Sequence, residues 1–359
     1  MKSYCGNPGR SGHRLSVKAA EKIYDCREEI AKFFGSSEPT NVVFTLNATY
    51  AINIAIKALS KKFSHVLISD LEHNSVLRPV NELKKNGITY DIFNVYPGND
   101  EMTLRSIKAK IKPTTDMIVC THVSNICNIT LPIEKIGKLC KERNLKFIVD
   151  MSQSAGSHKI NINEVCADVL CSPGHKGLFG PQGTGFMIFA DKYAKEEYIK
   201  KTSAVISGGS GVFSSEVEMP QFLPERFEAG TLPTPSIAGL CEGVKFVRQK
   251  TPEEIFSHVS KLCKRTTEML SSIKNVEVYA KEGGFGQTVL FNVKNISCDN
   301  VADYLNQNDI CVRSGLHCSP LGHRKLGTLS KGAVRVSFSI FNEPLETERL
   351  YKVLRMIPQ

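Results

Sequence analysis

Residues 167–185 read Ala167-Asp-Val-Leu-Cys-Ser-Pro-Gly-His175-Lys176-Gly-Leu-Phe-Gly-Pro-Gln-Gly-Thr-Gly185, a short apolar strand that breaks into a glycine-rich turn. The turn presents His175 and Lys176. Burial and nearby positive charge lower the pKa of a lysine, and the free amine attacks aldehydes. Lys176 is therefore a candidate Schiff-base nucleophile that carries a cofactor. The alternative is a solvated turn lysine, so the rest of the chain must decide.

Helices and strands alternate on both sides of this stretch. The elements predicted up to residue 250 are helix 16–34, with Ser16 as a possible cap, strand 42–46, helix 49–59, strand 65–69, helix 75–85, strand 89–95, helix 103–111, strand 117–122, helix 133–143, strands 146–150, 168–172 and 185–189, and helix 236–249. Residues 207–224 predict a loop with a possible hairpin. This alternation, with Val- and Ile-rich strands, predicts an α/β fold with a mostly parallel sheet covered by helices.

A second, smaller α+β unit is predicted from residue 251. Its elements are helix 253–273, strands 276–280 and 287–293, helix 297–306, strands 310–313 and 333–338, and helix 345–356. We therefore predict a large cofactor-binding domain over residues 16–250. A small C-terminal domain over residues 251–359, with residues 1–15 packing nearby, completes the chain.

Composition excludes several classes of protein. The 359 residues are 41% hydrophobic and 23% charged, an ordinary globular balance. No apolar run approaches the roughly 20 residues that span a bilayer, and the first residues lack a secretory signal, so we expect a cytoplasmic protein without a membrane partner. The net charge is +10, but the basic residues are interspersed with acidic ones, which argues against a nucleic-acid partner.

The twelve cysteines show neither a CxxC pair nor the spacing of metal ligands, which predicts reduced thiols and no metal site. Cys120, Cys171 and Cys311 lie in apolar segments and are expected to be small buried hydrophobes. Cys318 differs because it lies in the polar turn Arg313-Ser-Gly-Leu-His-Cys-Ser-Pro320. An arginine and a histidine beside a cysteine favour a reactive thiolate.

Polar residues follow several of the predicted parallel strands, whose carboxyl ends meet at one sheet edge where ligands bind. They are Asn47-Ala48-Thr49, Glu72-His73, Ser124-Asn125, Asp150 with Gln153, and Ser172 with His175-Lys176. Each has a structural explanation on its own: Thr49 as a helix cap, His73 as a satisfied loop histidine, Asn125 and Asp150 as turn formers. Their recurrence at one edge favours a binding site.

These residue types suit pyridoxal phosphate. That cofactor needs a lysine for its imine, a carboxylate that keeps its ring nitrogen protonated and a flat group over its ring. Lys176, Asp150 and His73 can fill these roles. The helix that begins near Ala48 and Thr49 offers free N–H groups and its positive dipole end to the phosphate.

An ordered set of motifs then resembles the class V, fold-type I pyridoxal-phosphate enzymes. Within that class the chain is similar to the cysteine desulfurase and selenocysteine lyase family, in the group with a short active-cysteine loop. The similarity runs from Asn7 to the Val-Arg335-Val-Ser-Phe segment. The motifs are Asn-Ala-Thr49, Glu-His73, Ser-Asn125, Val-Asp150-x-x-Gln153, Gly-His-Lys176, Phe-Glu-Ala-Gly-Thr231, Arg313-Ser-Gly-x-His-Cys318 and Val-Arg335.

The resemblance implies a role for each matching residue. Lys176 would hold the cofactor, Asp150 would pair with its ring nitrogen, and His73 would stack on the ring and assist proton transfer. The other implied contacts are Gln153 to the ring oxygen; Ala48, Thr49 and His175 to the phosphate; Thr231 to the phosphate of the other subunit in a homodimer with shared sites; Asn125 and Arg335 to the substrate carboxylate; and Arg313 beside the substrate and the cysteine loop.

Two positions depart from the family pattern. Pro173 stands where relatives commonly carry a phosphate-binding serine, which leaves neighbouring Ser172 as the candidate replacement. Relatives also begin with a strand that ends in an Asn-Ala-Ala segment lining the substrate pocket, and this sequence begins after it. We expect either that this segment is missing or that another element replaces it at the substrate pocket.

The implied function is a pyridoxal-phosphate-dependent cysteine desulfurase. It would convert L-cysteine to L-alanine and leave a persulfide on Cys318, with His317 and Arg313 as local helpers. Only 17 positions separate Cys318 from Arg335, so we expect a small acceptor protein to visit the pocket and collect the sulfur, for example for iron–sulfur cluster assembly.

Three alternatives stay open. A selenocysteine lyase would use the same site on L-selenocysteine. A class V aminotransferase would use Lys176 without Cys318. A degenerate dimeric scaffold would keep the fold without the chemistry.

Overall fold

Seven strands form the larger sheet of this computed structural model, which describes residues 6–9, 12–279, 284 and 286–357. They are β1 (Val42–Thr45), β2 (His65–Ser69), β3 (Thr89–Phe93), β4 (Thr115–Thr121), β5 (Lys146–Asp150), β6 (Val169–Pro173) and β7 (Gly185–Phe189). Their order is β1-β7-β6-β5-β4-β2-β3, and β7 runs in the direction opposite to the other six strands. The predicted α/β fold with a mostly parallel sheet is confirmed.

Helices cover both faces of this sheet. They are α1 (Arg14–Phe34), α2 (Ala48–Leu59), α3 (Asn74–Glu82), α4 (Asp100–Lys108), α5 (Ile133–Glu142), α6 (Ile162–Val165), α7 (Glu196–Ile199) and α8 (Thr234–Lys250). One core joins the sheet to α1, α5 and α8, and a second joins it to α2 and α3. Because successive strand side chains point to opposite faces, Leu170 belongs to the first core and Cys171 to the second.

The start of α1 corrects one detail. His13, rather than Ser16, caps the helix, because its side chain accepts a hydrogen bond from the Ser16 N–H group. The Ser16 hydroxyl instead donates to the Asn7 carbonyl at 2.5 Å, so the segment before α1 contacts the beginning of this helix. Gly35 ends α1 in the left-handed conformation, with φ of 72°.

A smaller antiparallel sheet follows, in the order β10-β11-β9-β8. Its elements are α9 (Pro252–Ser271), β8 (Val276–Val278), β9 (Thr288–Val293), α10 (Cys298–Gln307), β10 (Arg313–Gly315), α11 (Pro320–Lys325), β11 (Ala333–Ser337) and α12 (Pro344–Arg355). The predicted boundary at residues 250–251 falls between α8 and α9, where Thr251 has a φ of 64°.

Some local predictions were wrong. The strand expected at residues 310–313 begins only at Arg313, and Cys311 before it is exposed, whereas Cys120 and Cys171 are buried as predicted. Residues 207–224 contain no strand, so the possible hairpin is absent from that described loop. Ala280, the expected end of β8, lies outside the described residues.

Asn128 joins the two sheets. Its Oδ1 accepts hydrogen bonds from the N–H groups of Gln287 and Thr288 at 3.2 and 3.1 Å, and from the Thr288 hydroxyl at 2.8 Å. Asn128 has a left-handed φ of 55° and is 9% exposed. One side chain after β4 therefore fixes the start of β9 against the large sheet. Within the ranges given above, no helix is both long and apolar enough to cross a membrane.

Candidate active site

A cavity of about 530 Å³ opens between the two sheets. Seven of the residues expected from the sequence line it: His73, Asn125, Gln153, His175, Lys176, Arg313 and Arg335. Five of these follow β2, β4, β5 and β6, and the two arginines come from the smaller sheet. The structure therefore brings both predicted domains to one site.

Lys176 lies in a tightly packed turn shortly after β6. A Cβ on Gly156, whose φ is 93°, would lie 2.0 Å from the Gly177 carbonyl oxygen, so the backbone after Lys176 packs directly on the segment after β5. The Lys176 side chain is exposed to the cavity. Desolvation of its amine by the surrounding protein lowers the pKa of Lys176. The charge of Asp150 opposes this effect, and the charge of Arg335 reinforces it. The geometry thus favours a more easily deprotonated lysine.

Asp150 ends β5 and is 3% exposed, with Oδ1 accepting a hydrogen bond from the Ser152 N–H group at 2.9 Å. Nearby Glu72 is fully buried, and burial raises its pKa to about 8. Glu72 accepts hydrogen bonds from the Ser69 hydroxyl and, at 2.9 Å, from the Thr121 N–H group. Burial therefore favours the protonated form of Glu72, which lies close to Asp150.

His73 caps helix α3 and lines the cavity. Its Nδ1 accepts a hydrogen bond from the Ser75 N–H group at 3.0 Å, which places the ring proton on Nε2. Burial lowers the pKa of His73. At neutral pH the ring is uncharged, and this capping bond fixes its orientation at the cavity.

Two arginines and an asparagine form the other side of the cavity. Arg313 and Arg335 are direct partners across β10 and β11, so their side chains share one face. Arg335 donates to the Asn125 carbonyl at 3.0 Å, while its buried Nε has no hydrogen-bond partner among the described residues. Burial, reinforced by Arg313, lowers the pKa of Arg335 to about 10. This paired positive charge suits a carboxylate ligand.

Cys318 directly follows His317 and lies beside the cavity rather than among the residues that line it. Its side chain is exposed, and its carbonyl accepts a hydrogen bond from the Asn74 N–H group at 2.7 Å, next to His73. The preceding His317 lines the cavity. Sequence reasoning missed the contact with Asn74, because it joins residues far apart in the chain.

Besides the buried Asp150, four predicted cofactor contacts do not line this cavity. Ala48 and Thr49 form the first turn of α2, where backbone N–H groups lack partners within the helix. Thr231 lines a separate cavity of about 190 Å³ with Tyr50 and other residues. The fourth, Ser172, shares its sheet face with Leu170, opposite to the face that α2 covers, and its fully buried hydroxyl donates to the Pro173 carbonyl at 3.1 Å. The structure does not bring Ser172 to the site.

The expected help of His317 to the Cys318 thiol is also not supported by the geometry. His317 is 3% exposed, and burial lowers its pKa to about 4. Both ring nitrogens already have partners, Arg313 and His323. A neutral ring with both nitrogens engaged is a poor proton acceptor for the thiol.

The sequence profile of the class-V aminotransferases matches residues 1–350. The chain belongs to this family. It is 31% identical to a probable cysteine desulfurase of Pyrococcus abyssi, over 98% of this chain and 87% of that protein. It is 29% identical to the cysteine desulfurase IscS of Vibrio campbellii, over 98% and 85%. A solved apo structure of the cysteine desulfurase from Thermococcus onnurineus superposes with a TM-score of 0.89 at 31% identity, over 98% and 87% of the two chains.

Proposed function

We propose that this protein is a pyridoxal-phosphate-dependent cysteine desulfurase that releases L-alanine and stores sulfur on Cys318. One observation carries the proposal. The cavity that contains Lys176 is also bordered by the Cys318 loop and by the Arg313–Arg335 pair. An amine for the cofactor and positive charge for a substrate carboxylate therefore share one cavity, and the Cys318 thiol follows a residue that lines it.

The residues present fit the cofactor. Lys176 would hold it, Asp150 would face its ring nitrogen, and His73 and Gln153 would contact its ring. The first turn of α2 at Ala48 and Thr49, together with His175, would bind phosphate. When bound, pyridoxal phosphate supplies a reactive aldehyde and an electron-withdrawing ring. The raised pKa of Glu72 supports this fit, because it favours a neutral carboxyl group next to Asp150.

Different residues of the protein bind the substrate and transfer its protons. Arg335 and Asn125 hold the carboxylate of L-cysteine, and the planar guanidinium fixes its orientation. The free amine of Lys176 accepts the proton from the substrate Cα. His73 offers its Nε2–H at the cavity and helps to return a proton to the product.

Cys318 takes the sulfur. Its thiolate attacks the substrate sulfur, so that a new S–S bond forms as the substrate Cβ–S bond breaks. The electron pair of the broken bond stays with the carbon skeleton, which is protonated and leaves as L-alanine. One cysteine and one Cys318 thiol thus give one alanine and one Cys318 persulfide, without an external oxidant.

Incubation with pyridoxal phosphate and L-cysteine tests the proposal. We expect equal amounts of alanine and of persulfide on the Cys318 peptide in a single turnover. Cys318→Ala should abolish both products, and Cys311→Ala, which removes an exposed thiol seven positions earlier, should retain both. Lys176→Ala should lose the visible absorbance of the bound cofactor.

Other outcomes identify the alternatives. Preference for L-selenocysteine would indicate a selenocysteine lyase. Turnover with a keto-acid acceptor that Cys318→Ala leaves unchanged would indicate an aminotransferase. A bound cofactor without any alanine release would indicate a scaffold, and each of these results would refute the desulfurase assignment.

The active form is proposed to be a homodimer with shared sites. Thr231 lies in a cavity separate from that of Lys176, and the partly exposed apolar side chains of Leu46, Tyr50 and Ile206 line the same cavity as Thr231. A second copy that covers this surface would bring Thr231 to its partner's phosphate site. Mixing Thr231→Ala with Lys176→Ala protein tests this arrangement. If the sites are shared, one of the two sites in each mixed dimer is intact, so the mixture should regain about a quarter to a half of the parent activity. Unshared sites would give no gain over Thr231→Ala alone.

A small acceptor protein is proposed to collect the sulfur, for uses such as iron–sulfur cluster assembly. The exposed position of Cys318 beside the cavity supports this step. We also propose a cytoplasmic location, since the cysteines among the described residues are all free thiols and the reaction needs one of them reduced.

A further inference from the structure

The Cys318 turn has a strained backbone. His317 and Cys318 have φ angles of 51° and 56°, a left-handed conformation that costs free energy for non-glycine residues. Two hydrogen bonds to carbonyl groups of the turn oppose this strain: the Asn125 side-chain amide donates to the His317 carbonyl at 2.9 Å and the Asn74 backbone N–H group to the Cys318 carbonyl at 2.7 Å. Such a turn persists only where its surroundings hold it.

A chain of side chains reaches this turn from the interior. His317 Nε2 lies 3.2 Å from the Arg313 carbonyl oxygen, and His317 Nδ1 lies 3.2 Å from His323 Nε2. His323 Nδ1 lies 2.7 Å from the Thr328 hydroxyl. The two ring planes are nearly parallel, at 10°, and their centroids are 5.4 Å apart, so the rings meet edge to edge along the N···N line. His323 and Thr328 are both fully buried.

The chemistry of the two ends fixes the direction of this chain. A carbonyl only accepts, so His317 Nε2 carries the proton that binds the Arg313 carbonyl. Neutral His317 then accepts at Nδ1, and His323 must donate from Nε2. His323 Nδ1 in turn accepts from the Thr328 hydroxyl. With a neutral His317, each ring has one tautomer that satisfies its neighbours, and the Thr328 hydroxyl also lies 3.4 Å from the His323 carbonyl oxygen.

We propose that His323 is a positioning residue for the sulfur-transfer step: its Nε2–H bond to His317 holds the left-handed turn that presents Cys318 at the cavity. This inference rests on the proposed function for the identity of that step. His323 itself does not line the cavity, so it acts through His317. Losing the bond leaves His317 Nδ1 as a buried acceptor without a partner, which favours reorientation of the ring and release of the turn.

Two substitutions of His323 separate this bond from simple packing. In His323→Gln the side-chain amide reaches the position of Nε2 and can still donate to His317. In His323→Asn the shorter amide reaches only the position of Nδ1, so the bond to His317 is lost. Thr328→Val and Thr328→Ser form a second pair that removes or keeps the hydroxyl without altering either ring.

Hydrogen exchange in the cofactor-free protein reads the turn directly. We expect the amides of residues 314–320, apart from Pro320, which has no N–H group, to exchange about tenfold faster in His323→Asn and about threefold faster in Thr328→Val, as one buried hydrogen bond would predict. His323→Gln and Thr328→Ser should stay within about twofold of the parent. In the loaded enzyme, persulfide formation should fall about tenfold in His323→Asn while KM for L-cysteine changes less than about threefold.

Three results would overturn the proposal. Equal loss of exchange protection and of persulfide formation in both members of each pair would show that packing, rather than the hydrogen bond, holds the turn. Faster exchange throughout the chain would show general destabilisation. Unchanged exchange at residues 314–320 in both His323→Asn and Thr328→Val would show that the turn is held without this chain. Failure of the proposed function is distinguishable, because the parent would then form no persulfide while the exchange pattern still reports on the turn.

Discussion

Glu72 provides a sharp test of the electrostatics beside the cofactor site. Its carboxyl is fully buried, Oε1 accepts two hydrogen bonds, and Oε2 has no partner among the described residues. Burial raises the pKa from 4.5 to about 8. The folded protein therefore binds a proton that the unfolded chain releases at lower pH. Stability is lost as pH rises from 4.5 toward 8, since the unfolded state then binds fewer protons than the folded one.

The substitution Glu72→Gln removes this dependence and keeps an acceptor oxygen for the Ser69 hydroxyl and the Thr121 N–H group. With these pKa values, ionisation of Glu72 costs the parent about 1 kcal/mol at about pH 5.5 and about 4 kcal/mol at about pH 7.5. The difference in the free energy of unfolding, variant minus parent, should therefore be roughly 2 to 3 kcal/mol larger at the higher pH than at the lower pH. Contributions of other groups cancel in this difference.

Urea unfolding followed by circular dichroism at both pH values measures the gain, at one protein concentration for both proteins. Glu21→Gln, an exposed position in α1, is the control and should give a difference that pH does not change. A constant difference for Glu72→Gln would mean that Glu72 keeps one charge state over this range. The cofactor fit would then lose the support of a neutral carboxyl group next to Asp150.

Three further predictions concern buried polar groups, and urea unfolding measures each. Glu228→Gln should cost about 3 to 5 kcal/mol, because it leaves the paired guanidinium of Arg27 buried without its counter-charge; retained stability would contradict this. Asn128→Ala should cost about 2 to 4 kcal/mol by removing the acceptor of the buried Thr288 groups, and a loss below 1 kcal/mol would show another partner. His122 is 6% exposed and burial lowers its pKa to about 3, so the parent loses stability as pH falls from 6.5 toward 3. On acidification from neutral pH to about pH 4, the unfolding free energy of His122→Phe should fall by about 3 kcal/mol less than that of the parent. Equal falls in the two proteins would contradict this.

The sequence could predict most of the fold because its evidence is local. Strands β2, β5 and β7 begin and end at the predicted residues, since their runs of apolar residues are bounded by polar or glycine residues. The sheet edge that gathers His73, Asn125 and Lys176 follows from the rule that parallel strands end on the same side. The prediction of a strand at residues 310–313 was wrong because the position of this strand depends on pairing with β11, which the local sequence does not reveal.

Distances between remote side chains were beyond the sequence. The register of β10 on β11 makes Arg313 and Arg335 neighbours, and the pleat of β6 turns Ser172 away from α2. The tertiary structure also brings the His317 ring within hydrogen-bond distance of the His323 ring. The sequence by itself determined the order of the elements and which polar residues follow each strand, because periodicity and chain order are written along the chain. Only the tertiary structure decided which of those residues meet and how the Cys318 turn is held, because register, side-chain direction and burial arise from contacts between segments far apart in sequence.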